Sequence, residues 1–193
     1  MTTLSPANII KEINSFRNYP KSIQHLIEVL HRGISRLRSN DPFLDEISIF
    51  IKSIDKIPKM PPLNLNSALS KIANQELQKF ISNKNYNKYL FGKELKNILP
   101  DELISENVAL IADDGADEPQ NVVPKILLNK TDIEKKGRKI LTTAEYSEVG
   151  IDCVNYKDEN YIVMIFSDKK FGNESEKLFL ALLVLFYMYY LFS

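Results

Sequence analysis

The sequence predicts an α+β domain, and two patterns along the chain are the reason. Apolar residues recur at the three- and four-residue spacing of amphipathic helices across the first 81 residues, and Val122–Leu128 is also helix-like. After Gly150 the residues become β-branched and aromatic, and the polar run Lys157–Asn160 separates them into the two strands of a hairpin. Helices followed by a small antiparallel sheet are typical of the α+β class.

Four helices are predicted in the first half of the chain. Ser5–Pro6 provides an N-cap followed by proline at the first helical position, and Tyr19–Pro20 ends that helix. A second helix is expected from Pro20, a third after Asp41–Pro42 and a fourth after Asn66–Ser67. The residues expected to face inward are, helix by helix, Ile9, Ile10, Ile13 and Phe16; Ile23, Leu26, Ile27, Leu30 and Ile34; Phe43, Ile47, Phe50, Ile51 and Ile54; and Leu69, Ile72, Ala73, Leu77, Phe80 and Ile81.

Composition narrows the classes of function. The 193 residues include 25 Lys and Arg and 25 Asp and Glu, so no net field favours nucleic acid, and we expect no nucleic-acid partner. We interpret the basic stretch Lys135–Lys139 and the acidic stretch Asp113–Glu118 as solvated turns. The single Cys153 excludes an intramolecular disulfide. We interpret it as a packing residue, because a nucleophilic thiolate needs a neighbouring base or cation.

Five short segments follow one another in a distinctive order. Ile13–Pro20 contains Asn-x-x-Arg, and Pro61–Asn66 reads Pro-Pro-Leu-Asn-Leu-Asn before a helix. Ile104–Ala109 contains Glu-Asn-Val-Ala, Lys136–Leu141 reads Lys-Gly-Arg-Lys-Ile-Leu, and Tyr146–Ile151 contains Val-Gly-Ile.

This series resembles the CAP superfamily, which comprises the cysteine-rich secretory, antigen 5 and pathogenesis-related proteins and is built on the SCP domain. The resemblance implies an α-β-α sandwich with a small antiparallel sheet, preceded here by N-terminal helices and followed by a C-terminal apolar helix. We therefore divide the chain into an N-terminal helical segment (1–57), a CAP/SCP-like core (58–170) and a linker with an apolar tail (171–193).

The resemblance also implies a degenerate site. Family members with the full site hold a divalent metal between two histidines and two acidic groups in a central cavity. Here Glu106 matches the family's glutamate, but no histidine lies between residues 80 and 100. The second family histidine would stand just before Arg138, where this chain has Lys136 and Gly137. The candidate cavity residues are Glu106, Asn107, Lys136 and Arg138, and we expect no metal, no cofactor and no catalytic residue.

Two interpretations of Glu106 stay open. It either holds its own loop together through backbone hydrogen bonds or serves as a cavity carboxylate, paired there with Lys136. His25 and His31 lie about 240° apart around the second helix, so they do not converge on one ion. We interpret both as surface or half-buried helix residues.

The C-terminal run Leu178–Phe192 consists of fifteen apolar residues. As a helix it would span roughly 22 Å, against roughly 30 Å of hydrocarbon in a bilayer. We favour a membrane anchor over a terminal core helix, because the run has no polar face to show to water. The residues expected in the membrane are Leu178, Leu182, Leu185, Phe186, Tyr189 and Leu191. Residues 1–19 show no signal-peptide pattern, so the expected topology is a single-pass C-terminal anchor with a cytosolic domain.

The predicted function is a non-catalytic CAP/SCP-like binding module for a lipid, a sterol or a protein partner, tethered to a membrane by its tail. Two alternatives remain. One is a metal-assisted hydrolase that uses Glu106 as its general base, and the other is a structural or adaptor protein with a vestigial cavity.

Overall fold

The computed structural model describes residues 4–37, 43–82, 108–114, 118–128 and 132–168. Within these ranges the helices are α1 (Pro6–Asn18), α2 (Gln24–Leu37), α3 (Phe43–Ser53), α4 (Ser67–Ser82), α5 (Pro119–Leu127) and α6 (Asp132–Leu141). Short 3₁₀ turns at Pro20–Ile23 and Ile54–Lys56 follow α1 and α3. The strands are β1 (Asn64–Leu65), β2 (Val108–Asp114), β3 (Glu148–Tyr156) and β4 (Glu159–Ser167).

The four strands form one mixed sheet in the order β1-β3-β4-β2. β1 runs parallel to β3, and the other two pairings are antiparallel. β3 and β4 form the predicted hairpin, with Lys157 and Asp158 as its two-residue turn. Both turn residues have positive φ, of 53° and 65°, as a two-residue hairpin loop with the right-handed twist requires. The α+β class is therefore confirmed.

Both faces of the sheet are covered. Ile162, Met164 and Phe166 of β4 belong to the main core, which α1, α2, α3, α5 and α6 also enter. Val163 and Ile165 face the opposite way and pack with α4 in a second core. Helices on both faces explain why β4 is an uninterrupted apolar run and not an alternating one.

The helix starts follow the predicted capping chemistry. Ser5 Oγ accepts a hydrogen bond from the Asn8 amide (3.3 Å) and precedes the proline that opens α1. Asn66 Oδ1 accepts from the Leu69 amide (3.0 Å) at the start of α4. The caps predicted for these two helices are confirmed, whereas Asp41–Pro42 lies outside the described residues.

The inner face predicted for the second helix is wrong in part. Ile23 and Ile27 are buried as expected, but Leu26 and Leu30 are 36 % and 39 % exposed. Ile27 faces the core, and Leu26 and Leu30 both lie to one side of it around the helix. The apolar arc of α2 is therefore wider than the surface that its described neighbours cover.

Two predicted turns also need correction. The basic stretch Lys135–Lys139 lies within helix α6, whose Ile140 and Leu141 are buried in the main core. Packing of these two residues fixes the helix although the preceding residues are charged. Asp113 and Asp114, predicted in an acidic turn, are the last residues of β2 and pair with β4.

Gly150 of β3 lies directly against α4, and only glycine fits there. A Cβ at this position would stand 2.1 Å from the carbonyl carbon of Leu69. We expect Gly150→Ala to lower the free energy of unfolding by about 3 kcal/mol, because helix and strand must move apart. Urea unfolding followed by circular dichroism measures this loss.

Gly33→Ala on α2 is the matched control. Apart from the backbone of α2 itself, no atom of the described residues lies within 4 Å of the Cβ that it would gain. We expect a gain of about 0.5–1 kcal/mol from the better helix propensity of alanine. Equal effects of the two substitutions would show that the contact between α4 and β3 is looser than described.

Candidate functional site

Arg17, the arginine of the Asn-x-x-Arg segment, is fully buried near the end of α1. Its guanidinium donates to four main-chain carbonyls: those of Pro61 (2.9 Å from Nε), Leu141 and Thr143 (3.5 and 2.8 Å from Nη1) and Tyr146 (3.1 Å from Nη2). Burial lowers the pKa of Arg17, since desolvation disfavours its charge. The four carbonyl dipoles stabilise that charge in place of water.

Asn14 completes the same clamp one turn earlier on α1. Its Nδ2 donates to the Leu63 carbonyl (2.9 Å), and its Oδ1 accepts from the Leu63 amide (2.7 Å). The Met60 amide donates to the carbonyl of Arg17 (2.8 Å). Asn14 and Arg17 together fix the proline-rich connector against α1, so both have structural roles.

Glu148 is a buried carboxylate, 5 % exposed, where β1 and β3 begin. It accepts hydrogen bonds from the side-chain amides of Asn64 (3.3 Å) and Asn66 (3.4 Å). These contacts hold the corner between β1 and α4. Sequence reasoning missed Glu148, although an acidic residue directly before the apolar Val149–Ile151 was a usable signal.

An open groove of about 510 Å³ runs between α4 and β3. The apolar residues that line it are Pro6, Leu65 and Ile151. The polar residues that line it are Ser67, Ser70, Lys71, Asn74 and Asp152. Two hydrogen bonds span it, from the Ile151 amide to Ser70 Oγ (3.2 Å) and from Asn74 Nδ2 to Asp152 Oδ2 (2.7 Å). Although more of the lining residues are polar, apolar atoms make up most of the groove surface, as in the usual small-molecule site.

The outer edge of β3 continues from this groove. β1 pairs with β3 only at Glu148 and Val149, and no other described strand lies on that side. The Val149 carbonyl and the Ile151 amide both point outward, towards Asn66 and Ser70. Because strand residues alternate in direction, the main-chain groups of Cys153 and Asn155 point outward as well.

Cys153 is half-buried on β3 and packs against the main core. Burial, with a smaller contribution from Asp152, raises the pKa of its thiol to about 11. A packing role is therefore confirmed, and the thiolate is scarce at neutral pH.

Arg138 lies on α6, away from the groove. Its Nε donates to the Leu127 carbonyl (2.9 Å), and its guanidinium carbon stands 4.4 Å from the centroid of the Phe50 ring. Burial lowers its pKa, and the charge of Glu46 acts in the opposite direction. Its Nη2 is buried and has no hydrogen-bond partner among the described residues. Arg138 thus joins α6 to α5 and α3.

The other predicted cavity residues cannot be placed beside Arg138. Glu106 and Asn107 lie outside the described residues, and so does the side chain of Lys136, whose backbone belongs to α6. Their grouping as a cavity stays a prediction. The predicted membrane residues also lie outside the described part of the chain, namely Leu178, Leu182, Leu185, Phe186, Tyr189 and Leu191.

The two histidines lie where the sequence predicted. His25 is exposed on α2, and His31 is half-buried, with Nε2 at 3.1 Å from both the Leu44 carbonyl and Ser48 Oγ. Across the described ranges no three His, Cys, Asp or Glu side chains lie close enough to hold a metal ion. Among the helices that the structure describes, none has the length and apolar character needed to cross a bilayer.

Comparisons with known proteins leave the family open. No protein-family model and no curated protein sequence matches the chain. Among solved structures, an outer surface protein from Borrelia burgdorferi is similar, with 18 % identity and a TM-score of 0.46 over 77 % of this chain and 96 % of that one.

A second similar structure is that of the hookworm platelet inhibitor. It shares 10 % identity, with a TM-score of 0.42, over 90 % of this chain and 75 % of its own. At these identities and TM-scores, neither similarity assigns a family or a function to this chain.

Arg17→Met tests the structural role of the guanidinium. We expect it to lower the free energy of unfolding by at least about 3 kcal/mol, because it leaves several buried carbonyls without a donor. The stability of Arg17→Lys should lie between those of the unmodified chain and Arg17→Met, since one ammonium cannot reach all four carbonyls. Arg32→Met on the exposed side of α2 is the control and should change stability by less than about 0.5 kcal/mol. Equal urea midpoints for the two Met variants would contradict the role assigned to Arg17.

Cys153 provides a test of pH dependence. With a pKa of about 11, roughly one thiol in a thousand is ionised at pH 8, against about one in four for a free cysteine. We expect iodoacetamide to alkylate the folded chain about two hundredfold more slowly than the urea-unfolded chain at pH 8. The rate should then rise as the pH increases towards 11. Fast alkylation of the folded chain at pH 8 would contradict this environment.

Proposed function

We propose that this chain is a non-catalytic CAP/SCP-like binding module for a lipid, a sterol or a protein partner. We propose further that its C-terminal segment, residues 171–193, tethers it to a membrane. The observation that carries the binding role is the groove between α4 and β3, with Leu65 and Ile151 in its apolar lining.

The size and shape of the groove favour a ligand with an apolar body and one polar end. Its volume of about 510 Å³ lies within the range of ligand sites, roughly 300–1,000 Å³. Lys71 is exposed and so offers an ammonium group to a polar ligand end such as a carboxylate or a hydroxyl. The apolar lining matches the hydrocarbon of a fatty acid or a sterol.

The segments that resemble the CAP superfamily, where the structure describes them, support a binding role over a catalytic one. The side chains of Asn14 and Arg17 form hydrogen bonds with main-chain groups. Arg138 lies against Phe50 and the end of α5. The hydrolase alternative depends on Glu106, which lies outside the described residues.

An adaptor role is the second candidate, and the outer edge of β3 favours it. An extended peptide could pair with the outward-pointing main-chain groups of Cys153 and Asn155 as an added strand. The groove beside this edge would then receive peptide side chains in place of a lipid.

Leu65→Asp tests the groove. Leu65 is 41 % exposed and lines the groove, so a charge there disfavours an apolar ligand without removing a core residue. We expect the full chain to bind dehydroergosterol or a fluorescent fatty acid saturably, and the variant to bind at least about tenfold more weakly. Fluorescence titration measures both.

Ile49→Asp is the matched control, because Ile49 is an exposed apolar residue of α3 (67 %) that does not line the groove. It should bind both probes like the unmodified chain. If the two variants bound the probes with equal affinity, the probes would bind outside the groove between α4 and β3. No saturable binding of either probe would reject the lipid role and leave the adaptor role.

A further inference from the structure

Helix α2 carries an apolar stripe on its outer side. Leu26, Val29 and Leu30 are 36 %, 45 % and 39 % exposed, and their spacing places them on one face. Gly33 continues this face by one turn, and within the described part of the chain only the backbone of α2 itself lies near the place of its Cβ. We call Leu26, Val29, Leu30 and Gly33 the α2 outer stripe.

Basic residues border this stripe along one side. At 100° per residue, His25, Arg32 and Arg36 all lie about 70–115° from the centre of the stripe in the same direction. All three are exposed. Glu28 is the acidic residue of α2, and it lies farther round the helix, where it accepts a hydrogen bond from Gln24 (3.1 Å).

The acidic residues of the neighbouring elements lie away from the side of the stripe that carries His25, Arg32 and Arg36, so that side stays basic. Helix α3 carries the exposed Asp45 and Glu46, but it packs on another side of α2, through His31. Lys21, in the turn before α2, pairs with Asp55 (2.9 Å). On the remaining side, Glu12 of α1 lies across a small groove from the end of the stripe.

At the N-terminal end of α2 that small groove extends the apolar surface of the stripe into the protein. It encloses about 200 Å³, and Leu26 lines it together with Phe16, Ile23 and Val123. The apolar surface of the stripe therefore continues inward between α1, α2 and α5.

From the exposed stripe and its one-sided basic border, we propose that the α2 outer stripe lies against an anionic membrane surface. The apolar side chains enter the boundary between headgroups and acyl chains, and Arg32 and Arg36 contact lipid phosphates. This inference rests on the proposed membrane tether. Three partly exposed apolar residues bind weakly alone, and a tether raises their local concentration at the bilayer.

The experiment uses the full chain with one reporter cysteine. In a Cys153→Ala background, Val29→Cys carries an NBD fluorophore in the stripe, and Ile49→Cys carries the same label on α3 as the matched control. Each protein is mixed with phosphatidylcholine vesicles, with or without phosphatidylglycerol. Flotation reports association, and quenching by a spin-labelled lipid reports contact of the label with the bilayer.

We expect both labelled chains to float. With phosphatidylglycerol present, the label at position 29 should shift to the blue and be quenched at least about threefold more than the label at position 49. Arg32→Gln combined with Arg36→Gln should reduce the quenching constant at position 29 by roughly tenfold or more.

The outcomes separate this inference from the tether. If both chains float and positions 29 and 49 are quenched alike, the tether stands and the inference is overturned. If neither chain floats, the tether and the inference both fail. If position 29 is already shielded from water-soluble iodide before vesicles are added, a protein surface covers the stripe and the inference is overturned.

Discussion

A buried guanidinium organises this fold. Arg17 has no exposed surface, and a charge in that position is stable only if other dipoles replace its hydration. Four carbonyls do so, one from the proline-rich connector and three from the end of α6 and the segment after it. Because these carbonyls must converge on one planar group, α1, the connector and the approach to β3 have fixed relative positions. The interaction acts on the main chain, so it tolerates change in the side chains of the residues that supply the carbonyls.

The candidate groove depends on this arrangement and on a second buried polar group. Its walls come from α1, β1, α4 and β3, which are distant in sequence. Asn14 and Arg17 hold the connector that leads into β1, and Glu148 holds the Asn64 and Asn66 side chains at the corner between β1 and α4. Contact between Gly150 and Leu69 then sets the distance between the two long walls. Ligand recognition would therefore use helices and strands whose spacing is fixed elsewhere in the domain.

Local patterns predicted most of the elements but little of the candidate site. The sequence correctly predicted the helix caps at Ser5–Pro6 and Asn66 and the β3–β4 hairpin. Capping and strand alternation depend on residues close together in the chain, so they can be recognised from the sequence. The apolar spacing wrongly predicts that Leu26 and Leu30 face inward, because spacing shows that a stripe exists but not how much of it the neighbouring elements cover. The Asn-x-x-Arg segment is visible in the sequence, yet hydropathy cannot show that Arg17 is buried among carbonyls more than 120 residues away. The groove joins four segments, and only the tertiary fold brings them together.

The reach of Arg17 along the chain also affects how the protein forms during synthesis. Its partners Leu141, Thr143 and Tyr146 are 124, 126 and 129 residues away, so α1 leaves the ribosome long before they exist. Until then a solvated Arg17 disfavours burial of its neighbours Ile13 and Phe16. The N-terminal helices therefore stay incompletely packed until about two thirds of the chain has been synthesised after α1.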